Sequence, residues 1–249
     1  MDIVYAIWLR NIKRYLRSKS RIVGSLGMPI FFLLVVGLGL NSVVSLPGME
    51  QGYKGFIIPG IISMSVLFTS VFSGIQIIWD KQFGFLKETL VAPVSRLEIM
   101  LGQTFGGATT SVIQGLIILV ISLFIGLEIN SIAGFLIAFV FMLLIGLSFT
   151  AFGIAIASKM DDMHGFQLIM NFVIFPIFGL SGALFPITSL PPWVKFIAML
   201  DPLTYGVEGI RYGLLGTSQI NPIFSFIVLT GFTVGMVGIG AYLFRKINA

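Results

Sequence analysis

The chain has 249 residues, of which 57% are hydrophobic and 10% are charged, and its formal net charge is +5. Soluble domains usually carry about a quarter charged residues, which form the polar coat that faces water. The composition therefore excludes an ordinary soluble protein and indicates that lipid surrounds most of the surface. The chain has no cysteine, which excludes disulfides, thiolate metal sites and a cysteine nucleophile.

Residues 1–21 predict an amphipathic helix that lies on a membrane surface. Basic side chains fall on one helical face and aromatic or aliphatic side chains on the opposite face, so the cations can contact anionic head groups. The basic face consists of Arg10, Lys13, Arg14, Arg17 and Arg21, and the apolar face of Tyr5, Trp8, Ile12, Tyr15 and Leu16. A disordered basic tail is the alternative.

Six hydrophobic runs follow, each long enough to cross a hydrocarbon core about 30 Å thick. They cover roughly residues 22–44, 55–79, 99–127, 132–157, 165–185 and 223–244. The first run lacks a small-residue cleavage site, so we expect a membrane span there and not a signal peptide. Six spans place the N-terminal tail, residues 80–98, residues 158–164 and the C-terminus on the same side of the membrane. Most of the 15 Lys and Arg residues lie in these segments. The positive-inside rule then predicts a multi-pass protein of the cell membrane with both termini and residues 80–98 in the cytoplasm.

Polar side chains recur at helical spacing on one face of the second and third spans. Such residues either let neighbouring helices pack closely or line a polar path through the membrane, and the sequence leaves both interpretations open. They are Ser65, Thr69, Ser73 and Gln76 in the second span, and Gln103, Thr110 and Gln114 in the third.

Two segments outside the spans have unusual patterns. Residues 80–98 are too polar to cross a bilayer, yet they carry several apolar side chains, which predicts a short amphipathic helix at the cytoplasmic surface. Residues 186–222 contain two short apolar stretches, at 192–200 and 203–215, separated by prolines that break a continuous helix. They predict re-entrant or interfacial helices on the outer side, with a structured outer loop as the alternative. Glu208 and Arg211 have the spacing of an ion pair on one of these helices.

Catalytic motifs are missing from the sequence. No Gly precedes a Lys, which excludes a Walker A loop, and no charge falls in the middle of a predicted span, which disfavours an ion-driven carrier. His164 follows Asp161 and Asp162 in a short turn that is more typical of a polar connection than of a metal site. We therefore expect no enzymatic activity and no cofactor in this chain.

Two motifs resemble those of type-2 ABC exporter permeases, including the permeases of antibiotic-resistance and nodulation-factor exporters. The cytoplasmic motif is carried by Gly84, Leu86, Glu88, Leu90, Pro93, Val94, Ser95 and Arg96. The outer motif is carried by Ser181, Gly182, Phe185, Pro186, Leu190, Pro191, Trp193, Pro202, Leu203, Thr204, Tyr205 and Arg211. The chain departs from the family pattern at Lys81 and Gln82, where an acidic residue is expected, and this puts one contact to the ATPase in doubt.

The resemblance implies an all-α membrane protein with a single transmembrane domain over residues 1–249: six transmembrane helices, an N-terminal interfacial helix, a cytoplasmic coupling helix and re-entrant outer helices before the last span. It further implies a dimer of identical or different permeases, docked through residues 80–98 to separate ATP-binding-cassette subunits that bind ATP and Mg. The implied function is export of an amphipathic compound such as a drug, lipid or glycolipid. A self-sufficient channel or ion-coupled carrier is the alternative, and nucleic acid is not an expected partner.

Overall fold

The computed structural model describes residues 2–40, 52–86, 88 and 94–247, and every regular element within these ranges is a helix. The helices are α1 (Asp2–Arg17), α2 (Lys19–Phe31), α3 (Gly52–Ser73), α4 (Ile75–Gln82), α5 (Arg96–Phe124), α6 (Ile132–Ala157), α7 (Met163–Leu180), α8 (Pro192–Leu200), α9 (Pro202–Leu215) and α10 (Pro222–Arg245). A π-helix (Phe32–Leu38) continues α2, and a short 3₁₀-helix (Ile187–Ser189) precedes α8.

Six of these helical segments are long and apolar enough to cross a membrane: Lys19–Leu38, Gly52–Gln82, Arg96–Phe124, Ile132–Ala157, Met163–Leu180 and Pro222–Arg245. The prediction of an all-α membrane protein with six spans is confirmed. The fifth span is shorter than predicted, because α7 ends at Leu180 and Gly182 then adopts a left-handed turn with φ of +71°. The second span is longer than predicted, because it begins at Gly52 and ends at Gln82, and a break at Gly74 divides it into α3 and α4.

The second span, α3 with α4, forms the centre of the helix bundle. In its most apolar stretch 83% of the residues are buried, against 17% in the first span and 22% in the fifth and the sixth. Helix α3 packs against α5, α6 and α9, and α10 packs mainly against α6. The first, fifth and sixth spans therefore lie at the periphery and present apolar faces to the surroundings.

Glycine permits close helix crossings in this core. The junction of α3 and α4 crosses α6 where Gly74 faces Gly153, and a Cβ added at either position would overlap the backbone of the other segment. Gly102 and Gly106 on α5 likewise make room for α1, at Ile7 and Asn11. Small residues serve this purpose in membrane proteins because helices in lipid associate through close packing.

Prolines divide the segment before the last span as the sequence predicts. Pro186 precedes the 3₁₀-helix, Pro191 precedes α8, and Pro202 occupies the first turn of α9. The Tyr205 hydroxyl donates to the carbonyl of Met199 at 2.7 Å and so joins α9 to α8. Phe185 and Trp193 are exposed, at 57% and 70%. The two short helices exist, but their re-entrant position in a membrane stays a prediction.

The predicted pair of Glu208 and Arg211 forms and is buried, with exposed fractions of 1% and 3%. Arg211 also donates through Nη2 to the carbonyl of Gly182 at 2.9 Å, and its guanidinium lies 3.9 Å from the centre of the Phe56 ring. The pair therefore ties α9 to the turn after α7 and to α3. Loss of one partner from such a pair leaves an uncompensated buried charge, which costs about 3–5 kcal/mol.

The Gly153 crossing yields the first prediction. We expect Gly153→Ala to lower the midpoint of thermal unfolding in detergent, because the added methyl group overlaps the backbone near Val71. Gly238→Ala is the matched control on α10, where nothing lies within 4 Å of the added carbon. Alanine is favoured over glycine in a helix by about 1 kcal/mol, so the control should be neutral or stabilising. Equal melting of the two variants would contradict the close crossing.

Asp201 yields a pH-dependent prediction. Its carboxylate accepts from the backbone N–H of Leu203 at 2.9 Å, while Oδ2 is buried without a partner. Burial raises the pKa of Asp201 from 3.8 to about 7, and the Leu203 hydrogen bond offsets part of this. Because the folded state holds the proton more tightly than the unfolded state, the stabilisation is complete below about pH 4 and is lost as the pH rises through 7.

Asp201→Asn isolates this effect, since asparagine caps a helix as well as aspartate does but does not titrate. We expect the melting temperature of the wild type to fall between pH 5 and pH 8.5 by roughly 5 °C more than that of the variant. If the melting temperatures of the two proteins change equally across this pH range, Asp201 is not a buried, protonated carboxyl.

Candidate functional site

A polar cavity lies between α1, the second span and α5. The empty space inside it, counted together with the adjoining open solvent, is about 430 Å³. Five of the seven polar residues that the sequence singles out for a translocation path line it: Thr69, Ser73, Gln76, Gln103 and Thr110. Ser65 and Gln114 are buried outside the lining. The structure thus brings most of the two polar faces together, while their role in transport stays a prediction.

The cavity forms because α3 and α5 meet there through small and hydroxylated residues. Gly107 on α5 faces Ser73 and Thr150 so closely that a side chain at this position would clash. The hydroxyls of Ser73 and Thr110 donate to carbonyls of their own preceding turns, at 2.5 and 2.9 Å. Their polarity is therefore satisfied locally, and the amide of Gln103 is left to make the contacts between helices, with Asn11 and Asp80.

Helix α1 supplies the remaining wall with Asn11, Arg14 and Tyr15, and Arg21 follows at the start of α2. Asn11 donates to Oε1 of Gln103 at 2.7 Å, and the Tyr15 hydroxyl donates to Oε1 of Gln114. The sequence places Tyr15 on the apolar face of α1, and in the structure this side chain is only 5% exposed and bonds to α5. The signal was present in Asn11 and Tyr15, two hydrogen-bonding side chains at i and i+4.

Asp80 is a functional candidate that the sequence did not reveal. It looks like the solvated start of a cytoplasmic segment, but it is only 6% exposed. Its carboxylate accepts from Nη2 of Arg10 at 2.8 Å, from Nε2 of Gln76 at 2.8 Å and from Nε2 of Gln103 at 3.1 Å. One carboxylate thus joins α1, α4 and α5 beside the cavity, and we call Asp80, Arg10, Gln76 and Gln103 the Asp80 network.

The predicted coupling segment, residues 80–98, begins with Asp80 itself. Gly84 turns the chain with φ of +77°, residues 85, 86 and 88 are helical, Leu86 is buried and Glu88 is exposed. Leu90 and Pro93 lie outside the described residues, and Val94 packs against the core. A short helical turn with one buried and one exposed side is therefore present, as an amphipathic segment requires.

Ser95 and Arg96 have structural contacts at the start of α5. Ser95 caps the helix, accepting from the N–H of Glu98 at 3.1 Å, and Glu98 bonds back to the N–H of Ser95 in a capping box. Arg96 donates through Nη1 to the carbonyls of Arg245 and Ile247, at 2.5 and 2.9 Å. These contacts give both residues a structural role at the start of α5. Their part in coupling stays a prediction.

The departure at Lys81 and Gln82 also has a structural counterpart. Nζ of Lys81 donates to the carbonyls of Ser158 and Met160, at 3.0 and 3.1 Å, and contacts the Asp161 carboxylate at 3.1 Å. Gln82 donates to the carbonyl of Asp161 at 2.8 Å. A cation suits this place because the end of α6 presents unpaired carbonyls and a partial negative charge. An acidic side chain at either position would face these carbonyls unfavourably.

Aromatic side chains are exposed around this segment. Trp79 and Phe83 stack with ring centres 5.4 Å apart, and their exposed fractions are 38% and 72%. Phe85 is 41% exposed, and the guanidinium of Arg10 lies 4.4 Å from its ring centre. We call Trp79, Phe83 and Phe85 the aromatic patch. Through Arg10, the patch contacts the same network that borders the cavity.

The turn around His164 has a capping function. Asp162 accepts from the backbone N–H of His164 at 3.1 Å and of Gly165 at 2.8 Å, and so caps α7. These hydrogen bonds to the carboxylate hold the pKa of Asp162 below its usual value. The polar turn is thereby explained as the start of a helix.

Comparison with known proteins agrees with these features. Residues 3–215 match the family described as ABC-2 type transporter. The chain is 28% identical over 236 residues to the inner membrane transport permease YadH of Escherichia coli K12, covering 92% of this chain and 89% of that protein. It is 31% identical over 198 residues to the putative transport permease ycf38 of Porphyra purpurea, covering 79% and 68%.

A third relative is nodulation protein J of Rhizobium leguminosarum, which is 26% identical over 221 residues, or 87% of this chain and 83% of that protein. The family match covers most of the chain, including α1, the cavity, the aromatic patch and the outer helices α8 and α9. With its six apolar helices, the chain belongs to the ABC-2 type transporter family and is a multi-pass membrane protein of the transport permease type.

Proposed function

We propose that this permease is the membrane subunit of an ATP-driven exporter and that a separate ATP-binding-cassette subunit hydrolyses the ATP. In this proposal the chain itself carries no cofactor, and ATP and Mg bind to the partner subunit. The cargo is an amphipathic compound that passes through the bundle from the cytoplasmic side. The family supports a transport role, and the arrangement of the aromatic patch supports the coupling to a partner.

The observation that carries the proposal is the aromatic patch beside Arg10. Aromatic side chains that remain largely exposed next to a helical turn are typical of the centre of protein interfaces, where they supply much of the binding energy. The patch lies at the end of the second span: Trp79 belongs to the last turns of the span, and Phe83 and Phe85 to the polar segment that follows it. A soluble subunit docked there would contact Phe83 and Glu88, which are both exposed.

The Asp80 network gives such a partner a mechanical route to the cavity. A displacement of the segment around Phe85 acts on Arg10, which is bound to Asp80, and Asp80 is bound to Gln76 and Gln103 in the cavity wall. Buried polar networks of this kind have few alternative arrangements, because every broken bond leaves an unpaired group. Movement at the docking surface would therefore reposition α1 relative to α5.

Orientation and assembly complete the proposal. Six spans place both termini on one side, and the excess of Lys and Arg on that side favours the cytoplasm of a cell-membrane protein. The first and fifth spans bury little of their surface within the chain, which leaves room for a second permease copy, identical or different. Export is the direction that the family resemblance of the two motifs favours.

Phe83→Ser tests the docking surface directly. We expect this variant to lower the amount of ATP-binding-cassette subunit that co-purifies with the permease by about tenfold or more, since an exposed aromatic at an interface centre contributes about 2 kcal/mol. The partner is identified by its P-loop sequence in mass spectrometry. Glu88→Ala is expected to weaken the complex as well.

Phe124→Ser is the matched control, because Phe124 is 89% exposed and lies at the far end of α5. It should leave the complex intact. If Phe83→Ser, Glu88→Ala and deletion of residues 84–91 all retain the ATP-binding subunit, the coupling role is wrong. Transport by the purified permease in liposomes without ATP would favour the self-sufficient channel or carrier instead.

A further inference from the structure

Three adjoining hollows follow one another along the inner side of α1 and α2. The first lies among Arg10, Lys13, Arg14 and Arg17, the second is the polar cavity, and the third lies between α2 and α3. Arg14 belongs to both the first and the second, while Tyr15, Arg21 and Thr69 belong to both the second and the third. The shared residues place the three hollows side by side, and we call them together the groove, with a basic, a polar and an apolar part.

The apolar part has the lining of a site for hydrocarbon. Its walls include Met28 and Pro29 of α2 and Met64, Phe68 and Phe72 of α3, and the space between them, counted together with the adjoining open solvent, is about 720 Å³. Gly24 and Met28 are exposed on the surface of the chain, so the groove is accessible from the side of the bundle. A hydrocarbon chain could enter there laterally from a lipid leaflet without passing through water.

The charge in the polar part is unbalanced. Arg14 and Arg21 both line it, and its lining includes no Asp or Glu. The nearby carboxylate of Asp80 is occupied by Arg10, Gln76 and Gln103. Among the described residues, the ion pairs within 4 Å involve Arg10, Lys81 and Arg211, and not Arg14 or Arg21. Two guanidinium groups that share a cavity repel each other, and an anion between them removes that repulsion.

We propose that this groove binds an amphiphile with a phosphate-type anionic head between Arg14 and Arg21 and a hydrocarbon tail between α2 and α3. Guanidinium groups recognise phosphate oxygens by paired hydrogen bonds, and Tyr15, Asn11 and Gln103 border the same space. This proposal rests on the proposed permease function, because the bound amphiphile would be the cargo or a lipid that the permease holds in its cavity. The binding itself requires no ATP and no partner subunit.

The test is a lipid titration of the full-length chain in a mild detergent, followed by native mass spectrometry. Dioctanoyl phosphatidic acid should occupy one saturable site with an affinity at least about tenfold higher than that of dioctanoyl phosphatidylcholine. Inorganic phosphate should displace it only at far higher concentration, because it lacks the tail. Equal binding of the two lipids, or equal potency of inorganic phosphate, would overturn the proposal.

Variants locate the two ends of the ligand. Arg14→Gln with Arg21→Gln should abolish the preference for the anionic lipid, and Arg14→Lys with Arg21→Lys should restore part of it. Lys13→Gln is the matched control, since Lys13 lies in the basic hollow but outside the polar cavity. Gly24→Leu should weaken phosphatidic acid binding by about tenfold by filling the apolar part, and its Cβ has room, as nothing lies within 4 Å of an added Cβ.

The outcomes separate this proposal from the one on coupling. If Lys13→Gln weakens binding as much as the two arginine substitutions do, or if Gly24→Leu has no effect, the groove is not the site. If the double glutamine variant does not fold, Arg14→Gln and Arg21→Gln are measured singly for the same preference for the anionic lipid, since both positions are exposed. Co-purification of the ATP-binding subunit should be unchanged in all of them. If the wild type binds the lipid but no ATP-binding subunit co-purifies with it, the proposed coupling is contradicted and the proposed lipid site is not.

Discussion

The carboxylate of Asp80 lies where three helices of different kinds meet: the amphipathic α1, the end of the central span and the start of α5. A charge with 6% exposure is costly to bury, and here it is compensated by one guanidinium and two amides. Each compensating group comes from a residue that also borders the cavity or the aromatic patch. The position of α1 on α5, the shape of the cavity and the attachment of the segment after Gln82 therefore depend on this one ionised group.

The opposite end of the bundle uses a second buried ion pair in a different way. Glu208 and Arg211 lie on the same helix, and Arg211 reaches beyond the pair to the carbonyl of Gly182 and the ring of Phe56. This arrangement fixes the outer helices against the central span. The network at Asp80, in contrast, connects helices that belong to different parts of the chain, and Arg10 at its edge is partly exposed with 27% of its side chain accessible. The end of the bundle at Arg211 is therefore held by a fully buried pair, and the end at Asp80 by a network with one partly exposed cation.

Hydropathy and proline positions were sufficient to predict the six spans and the two short outer helices. Both signals are local: apolar runs of about 20 residues and helix breakers act within their own segment. The contacts of α1 could not be predicted in this way. Its amphipathic pattern indicated one face for lipid and one for head groups, but the helix packs on Gly102 and Gly106, and its side chains Arg10, Asn11 and Tyr15 bond to other helices. Such pairing depends on which helices become neighbours, and a single sequence does not state that. The polar faces of the second and third spans were recognisable, and only the fold shows that five of their residues border one space.

We propose that the Asp80 network transmits a displacement of the coupling segment to the wall of the cavity. The most direct test is ATP-dependent export by the reconstituted complex with charge-reversed variants at the two ends of the ion pair. Arg10→Asp and Asp80→Arg should each abolish export while the ATP-binding subunit stays bound, and the double variant should regain a measurable part of it, because opposite charges again face each other. Export at the wild-type rate by either single variant would contradict the account.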